Sequence, residues 1–255
     1  MTRLFVSDID GCLSEPYQIM DIDRLVELSV VVKEGGALDS HPTYPAFSLC
    51  SGRPIPYVEC IAQLLGVVEP VLFESGGGMF NPRTAEVKWN PRITSEVRSQ
   101  IDQVSDWMIN HCLAGTSMVF DYAKRTQAGL IGPDHEEIVA TIPRVQAFID
   151  QNRFGLKVQP THLSIDVVPF GMTKEFGMQW MANEQGLSLS DIAYIGDSVS
   201  DVEALKLVGR SFAPENADPI ARESVDTVTA YQTQGVLDAV HACIANNKAE
   251  LNIVS

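Results

Sequence analysis

Apolar residues follow two rhythms along this chain. Leu4-Phe5-Val6 leading into Ser7-Asp8, Ala46-Phe47-Ser48-Leu49-Cys50 and Val71-Leu72-Phe73 are short, nearly unbroken apolar runs, the texture of strands buried on both faces. Between the last two, Ile55, Val58, Ile61 and Leu64-Leu65 recur at helical spacing, with Pro54 or Pro56 where a helix begins and Gly66 where it ends. The alternation resumes late in the chain. It predicts a helix over 173–185, a strand over 192–195, a helix over 199–208, strands over 211–213 and 227–229, and a helix over 236–245. Strand and helix in repeated succession predict a parallel sheet with helices on both faces, a doubly wound α/β fold.

The middle of the chain has another texture. Ile93, Val97, Ile101, Val104 and Met108 mark one amphipathic helix, and Ile138, Ile142, Val145 and Ile149 mark another. Strand-like pieces at 87–89, 117–122, 130–131, 156–158 and 163–168 surround them. This predicts a small α+β unit, mostly antiparallel, inserted into the α/β fold.

Charge sharpens that division. The net charge is −15, from 18 Lys and Arg against 33 Asp and Glu, and it is unevenly spread: −7 over 1–81, −1 over 82–168 and −7 over 169–255. Two acidic ends around a near-neutral centre predict one core domain built from 1–81 and 169–255, with 82–168 as the insert. So large an acidic surplus excludes sequence-independent nucleic-acid binding, which needs cations to displace counterions from phosphates. No window is apolar for long enough to span a membrane. Acids stand where a signal peptide needs its apolar stretch, so a cytoplasmic protein is expected. The five cysteines are scattered without CxxC spacing, arguing against a disulfide framework or a zinc site.

Four short segments carry the chemistry. Asp8-Ile9-Asp10-Gly11 follows the first strand. Ser51-Gly52-Arg53 follows the second and precedes a helix. Lys174 opens a helix, where a cation is electrostatically misplaced. Gly196-Asp197-Ser198-Val199-Ser200-Asp201 follows the strand at 192–195. Taken singly, each fits an ordinary role: a solvated turn, an N-cap serine, a surface lysine, or acids in a helix's first turn. Taken together, they stand where a doubly wound sheet binds its ligands, beyond the carboxyl ends of the strands. There the first pair reads as nucleophile and acid/base, and the last acids as oxygen ligands for Mg²⁺.

The set resembles the four motifs of the haloacid dehalogenase superfamily of phosphotransferases, in its Cof-type branch with a large α+β cap between the second and third motifs. Glu74-Ser75-Gly76-Gly77 and the run from Val167 to Lys174 resemble that branch's passages into and out of the cap. The sequence departs from the usual pattern at Cys12, Ser75 and Ser200, none of which removes a charged group. The resemblance implies a Mg²⁺-dependent phosphatase acting on a small phosphorylated metabolite, a sugar phosphate or a phosphoglycolate-like compound. Asp8 is then the nucleophile that becomes an aspartyl-phosphate, and Asp10 the acid/base. Asp8, Asp10, Asp197 and Asp201 hold the metal, and Ser51, Gly52, Arg53 and Lys174 hold the phosphoryl group. From the cap, Lys124, Arg125 and His162 are expected to contact the leaving group. Asp10 separates this reading from dehalogenases, which lack that acid. The alternatives are a phosphomutase or phosphotransferase of the same superfamily, or a non-catalytic binding member. Cys12, two residues past Asp10, is a further expectation, as a thiol whose oxidation blocks the site.

Overall fold

The protein is described by a computed structural model covering residues 1–254. It divides into two compact units, Met1–Lys88 with Thr173–Ser255, and Trp89–Met172. The chain begins with β1 (Leu4–Ser7), α1 (Ile22–Gly35), β2 (Ala46–Leu49), α2 (Ile55–Leu65), β3 (Val71–Phe73), β4 (Gly78–Asn81) and β5 (Glu86–Trp89). The second unit contains α3 (Ser95–Cys112), β6 (Val119–Phe120), β7 (Ala128–Ile131), α4 (His135–Asn152), β8 (Leu156–Pro160) and β9 (Ser164–Pro169). The chain returns through α5 (Lys174–Gln185), β10 (Ile192–Ile195), α6 (Val202–Leu207), β11 (Arg210–Pro214), α7 (Pro219–Glu223), β12 (Thr227–Thr229) and α8 (Gln232–Val254). Among the described residues, no helix is long and apolar enough to cross a membrane.

The first unit is built on a parallel sheet in the order β12-β11-β10-β1-β2. Its strands read as continuous apolar runs because both faces are covered. Phe5 packs with Leu25 and Leu28 of α1, Val58 and Ile61 of α2, and Val236 and Val240 of α8. Its neighbours Leu4 and Val6 point the other way, into a cluster with Met178 and Met181 of α5 and Leu205 of α6. β1 stands between β2, which follows it in the chain, and β10, which comes much later. The strand order therefore reverses at the carboxyl ends of β1 and β10, where a doubly wound sheet opens its crevice. A second sheet, β3-β4-β5, in which β3 and β4 run antiparallel, extends this unit.

The α1 segment is one for which the apolar pattern predicts no element. Its buried residues Leu25, Leu28 and Val32 have helical spacing, but Ile22, Val26 and Val30 are exposed, so apolar residues on both faces hide the period. The legible signals were at its ends: Asp21, whose carboxylate accepts from Arg24 N–H at 3.1 Å, and Gly36 at the close.

The second unit is a four-stranded antiparallel sheet, β6-β7-β9-β8. Ala128, Leu130, Ile165 and Val167 alternate along β7 and β9 into one core with Ile101 and Val104 of α3 and Ile138 and Val145 of α4.

Candidate active site

Asp8 leaves β1 at the reversal point and is buried. Its Oδ1 accepts from Ile9 N–H at 2.7 Å, and its Oδ2 from Lys174 Nζ at 2.5 Å. Both carboxylate oxygens are thus held in one orientation. Burial pushes the Asp8 pKa up to about 7, against the opposing pull of Lys174.

Lys174 is the first residue of α5, a helix capped by Thr173, whose hydroxyl accepts from Phe176 N–H at 3.2 Å. A buried ammonium at a helix N-terminus is opposed by desolvation and by the helix dipole. Two carboxylates answer it, Asp8 at 2.5 Å and Asp201 at 2.7 Å, and their attraction outweighs burial and raises its pKa well above normal.

Asp201 is fully buried, and donors surround it. Lys174 and the Tyr194 hydroxyl donate to Oδ1, while Ser198 donates to Oδ2 from its N–H at 3.0 Å and its hydroxyl at 2.7 Å. Burial alone raises the Asp201 pKa, but Lys174 and these hydrogen bonds overcome it and hold the carboxyl below its ordinary range. Tyr194 escaped sequence reasoning because it sits in the apolar run of β10. Its signal was the one polar tip within that run.

Asp197 is the opposite case. Burial, then Asp8 and Asp201, push its pKa up to about 9. Among the described residues no donor reaches its carboxylate, which instead lies over Gly11: a Cβ built on Gly11 would stand 2.0 Å from Asp197 Oδ2. Gly11 also has a φ of 75°, so glycine is required there for both space and backbone. Oxygens of Asp8, Asp197 and Asp201 lie within 4.8 Å of one another. A partly buried carboxylate with no donor, beside a second carboxylate, is the donor set of a hard divalent cation.

Asp10 and Arg53 form a bidentate pair. Arg53 Nε donates to Asp10 Oδ2 at 2.6 Å and Nη2 to Oδ1 at 2.8 Å. Ser51 is buried, and its hydroxyl accepts from Arg53 N–H at 3.2 Å. The loop of Ser51, Gly52 and Arg53 is strapped from beneath: Glu74 N–H donates to the Arg53 carbonyl at 3.0 Å and Ser75 N–H to the Ser51 carbonyl at 2.8 Å. Asn216, another residue that sequence reasoning missed, donates to the Gly11 carbonyl at 2.8 Å and accepts from Gln232 N–H at 3.1 Å, tying the Asp8–Gly11 turn to the start of α8.

The remaining sequence-derived candidates belong to the second unit. Lys124 Nζ is 2.5 Å from Asp166 Oδ1 and 3.3 Å from Gln127 Oε1, with its side chain mostly buried. Arg125 is exposed. His162 is exposed as well, stacked on His135 with ring centroids 4.2 Å apart, and its carbonyl contacts His135 Nδ1 at 3.1 Å. Cys12 is fully buried, and burial with the nearby Asp197 drives its thiol pKa far up. That thiol is shielded and protonated, contrary to the expectation of an oxidisable switch.

A sequence profile of haloacid dehalogenase-like hydrolases matches residues 127–240. Over that stretch the chain resembles the haloacid dehalogenase-like hydrolases. The chain is 24% identical to a phosphoglycolate phosphatase of Methanococcoides burtonii, over 96% of this chain and 97% of that one. It is 27% identical to the phosphoglycolate phosphatase of Natronomonas pharaonis, over 91% and 94%. Among solved structures, a Thermoplasma acidophilum protein superposes with a TM-score of 0.73 at 22% identity, covering 97% of this chain and 99% of that one. The sucrose-phosphatase of Synechocystis, solved with sucrose and phosphate, superposes with a TM-score of 0.68 at 14% identity, over 95% and 98%. Both likenesses are of fold. The doubly wound core with its inserted α+β unit is the architecture that this chain shares with them.

Proposed function

We propose that this hydrolase is a Mg²⁺-dependent phosphatase of a small phosphorylated metabolite, of the phosphoglycolate or sugar-phosphate kind, working through an aspartyl-phosphate. The observation that carries the reading is Asp8: a buried carboxylate at the strand-order reversal, oriented by a backbone N–H and by Lys174. The relatives' activity and the donor-free Asp197 beside it agree with this reading.

Asp8 and Asp197 would hold Mg²⁺, with Asp201 behind them, its oxygens given to Lys174, Tyr194 and Ser198. Bound there, the ion would offset the charge of the carboxylates facing a phosphate dianion. Asp8 attacks phosphorus in line; its oxygen gains the P–O bond as the ester oxygen leaves. Asp10 gives its proton to that leaving oxygen and then takes one from the water that hydrolyses the acyl phosphate. Lys174 keeps Asp8 pointed at phosphorus and meets the charge that spreads over the phosphoryl oxygens. The Ser51 hydroxyl, with the Gly52 N–H, is the seat for a phosphoryl oxygen, since Ser51 N–H goes to the Leu72 carbonyl and Arg53 N–H to the Ser51 hydroxyl. In the haloacid dehalogenase-like reading the unit Trp89–Met172 would be the cap, with Lys124, Arg125 and His162 the candidate contacts for the leaving group.

The decisive experiment is phosphate release from p-nitrophenyl phosphate, followed by borohydride trapping. Mg²⁺-dependent release that disappears in Asp8→Asn, with reductive conversion of residue 8 to homoserine, supports the assignment. Undiminished turnover in Asp8→Asn overturns it. A panel of phosphorylated metabolites then identifies the substrate. Isomerised sugar phosphate in place of free phosphate would mark a phosphomutase instead.

A further inference from the structure

Arg53 stands where a substrate contact is expected, yet its guanidinium is committed within the protein. Both of its forward-facing donors go to one carboxylate, Asp10, at 2.6 and 2.8 Å. Its planar face is engaged too, with the guanidinium carbon 4.5 Å from the ring centroid of Tyr17 and 4.9 Å from that of Tyr57. Its backbone is fixed at both ends, by the Ser51 hydroxyl on its N–H and by Glu74 N–H on its carbonyl. The side chain retains 16% of its exposure and Asp10 27%. A surface pair between two mobile side chains contributes little. Here a planar fork meets a planar carboxylate, and stacking and loop straps immobilise the fork, so two torsions of Asp10 are set.

We propose that Arg53 is the positioning residue of Asp10: it aims the carboxyl group that protonates the leaving oxygen, and it does not itself bind substrate. This inference rests on the phosphatase reading above. In the step concerned, the Asp8 oxygen–phosphorus bond forms and the bond from phosphorus to the ester oxygen breaks. Its electron pair stays on that oxygen, which takes the proton from Asp10. When one Asp10 oxygen carries the proton, one Arg53 N–H still donates to the other, and the stacked fork keeps the carboxyl group in place. Tyr17 contributes from a loop where it adopts a φ of 60°, a left-handed conformation costly for a tyrosine. That cost is consistent with a ring held for its contact with Arg53.

A leaving-group series tests the assignment. General-acid assistance of about 100-fold or more matters when the departing oxygen is a strong base and becomes dispensable when it is a weak one. The probes are phenyl, p-nitrophenyl and 2,4-dinitrophenyl phosphate with Mg²⁺, read as kcat/KM, which reports phosphoryl transfer to Asp8. Arg53→Met keeps the aliphatic stem between the rings and removes the fork. Its kcat/KM is expected to fall by about 30-fold or more for phenyl phosphate and by less than about 3-fold for the dinitrophenyl ester, a fraction of that general-acid contribution. In an Asp10→Asn background it should add nothing further. Arg53→Lys, which keeps the charge and one donor, should fall between. Equal losses across the three esters would make Arg53 a substrate or structural contact and overturn the proposal. Arg53→Lys supplies the same comparison if Arg53→Met does not fold. Wild-type protein without Mg²⁺-dependent turnover, or turnover surviving Asp8→Asn, removes the phosphatase reading itself, an outcome distinct from a flat leaving-group series.

Discussion

Gly177 lies so close to Gly76 that a Cβ built on it would stand 2.7 Å from the Gly76 Cα. The approach matters because Gly177 sits one turn along α5 from Lys174, and Gly76 belongs to the turn at Glu74–Gly76, next to the straps of the Ser51–Arg53 loop. In an exposed helix, glycine to alanine gains about 1 kcal/mol. Here the methyl meets backbone, which cannot rotate away, and overpacking of this kind costs about 1–3 kcal/mol. Gly177→Ala should therefore lower the melting temperature and depress turnover together, through displacement of Lys174. A raised melting temperature would show that the two backbones have room to part.

Lys174 answers two buried carboxylates, so its removal acts on stability and on chemistry separately. Lys174→Met leaves Asp8 and Asp201 uncompensated, at a cost of about 3–5 kcal/mol. Turnover should fall by about 100-fold or more, as when one donor to a developing oxyanion is lost. The double variant Lys174→Met/Asp201→Asn removes one stranded charge, and denaturant melts should show part of the stability restored. Phosphate release should not recover. Recovered activity would reduce Lys174 to a structural counterion.

Metal-free protein should lose stability as pH rises. Asp197 titrates at about 9 when folded, against an ordinary 3.8, and Asp8 at about 7. Below about pH 4 both the folded and unfolded chains hold these protons; above it the unfolded chain releases them first. The folded state's advantage from these protons is full at low pH and is lost as pH climbs through about 7 and then about 9. Melting temperatures in EDTA should follow this slope between about pH 5 and 9, and Asp197→Asn should flatten it. Mg²⁺ should bind more tightly with rising pH, release protons on binding, and fail to stabilise Asp197→Asn. Calorimetry in buffers of different ionisation enthalpy measures that release; none would contradict the assigned ligands.

Thiol reactivity follows burial. Cys12, Cys50, Cys112 and Cys243 are buried, whereas Cys60 is exposed on α2. Burial raises the pKa of all four enclosed thiols, Cys243 to about 11, keeping them protonated. A disulfide reagent under native conditions should titrate one fast thiol, absent in Cys60→Ser, and modification there should leave turnover intact. Rapid labelling of Cys12 would mean that the Asp8–Gly11 turn opens readily.

Much of the core was legible from periodicity because a parallel sheet covered on both faces imposes unbroken apolar strands, as in Leu4–Val6 and Ile192–Ile195. Helix α1 was illegible for the converse reason: Ile22, Val26 and Val30 are apolar yet exposed, so burial and hydrophobicity part company there. The pairing of Lys124 with Asp166, 42 residues apart, was equally hidden, since it depends on β7 lying beside β9.

The acids, the lysine and the glycine turns are local chemistry, and the four segments taken together, with the motifs they resemble, nominated Asp8, Asp10, Lys174, Asp197 and Asp201. What each does with its oxygens or protons is a matter of which neighbour the fold brings to it. Asp197 and Asp201 lie four residues apart with the same side chain. Only packing leaves one without a donor, its pKa raised to about 9, and surrounds the other with Lys174, Tyr194 and Ser198, which lower it. The fork of Arg53 closes on Asp10, a pairing that exists only because the fold lays the first and second loops side by side. Residue identity supplies the charges; burial and distance, which exist only in three dimensions, set their protonation and their partners.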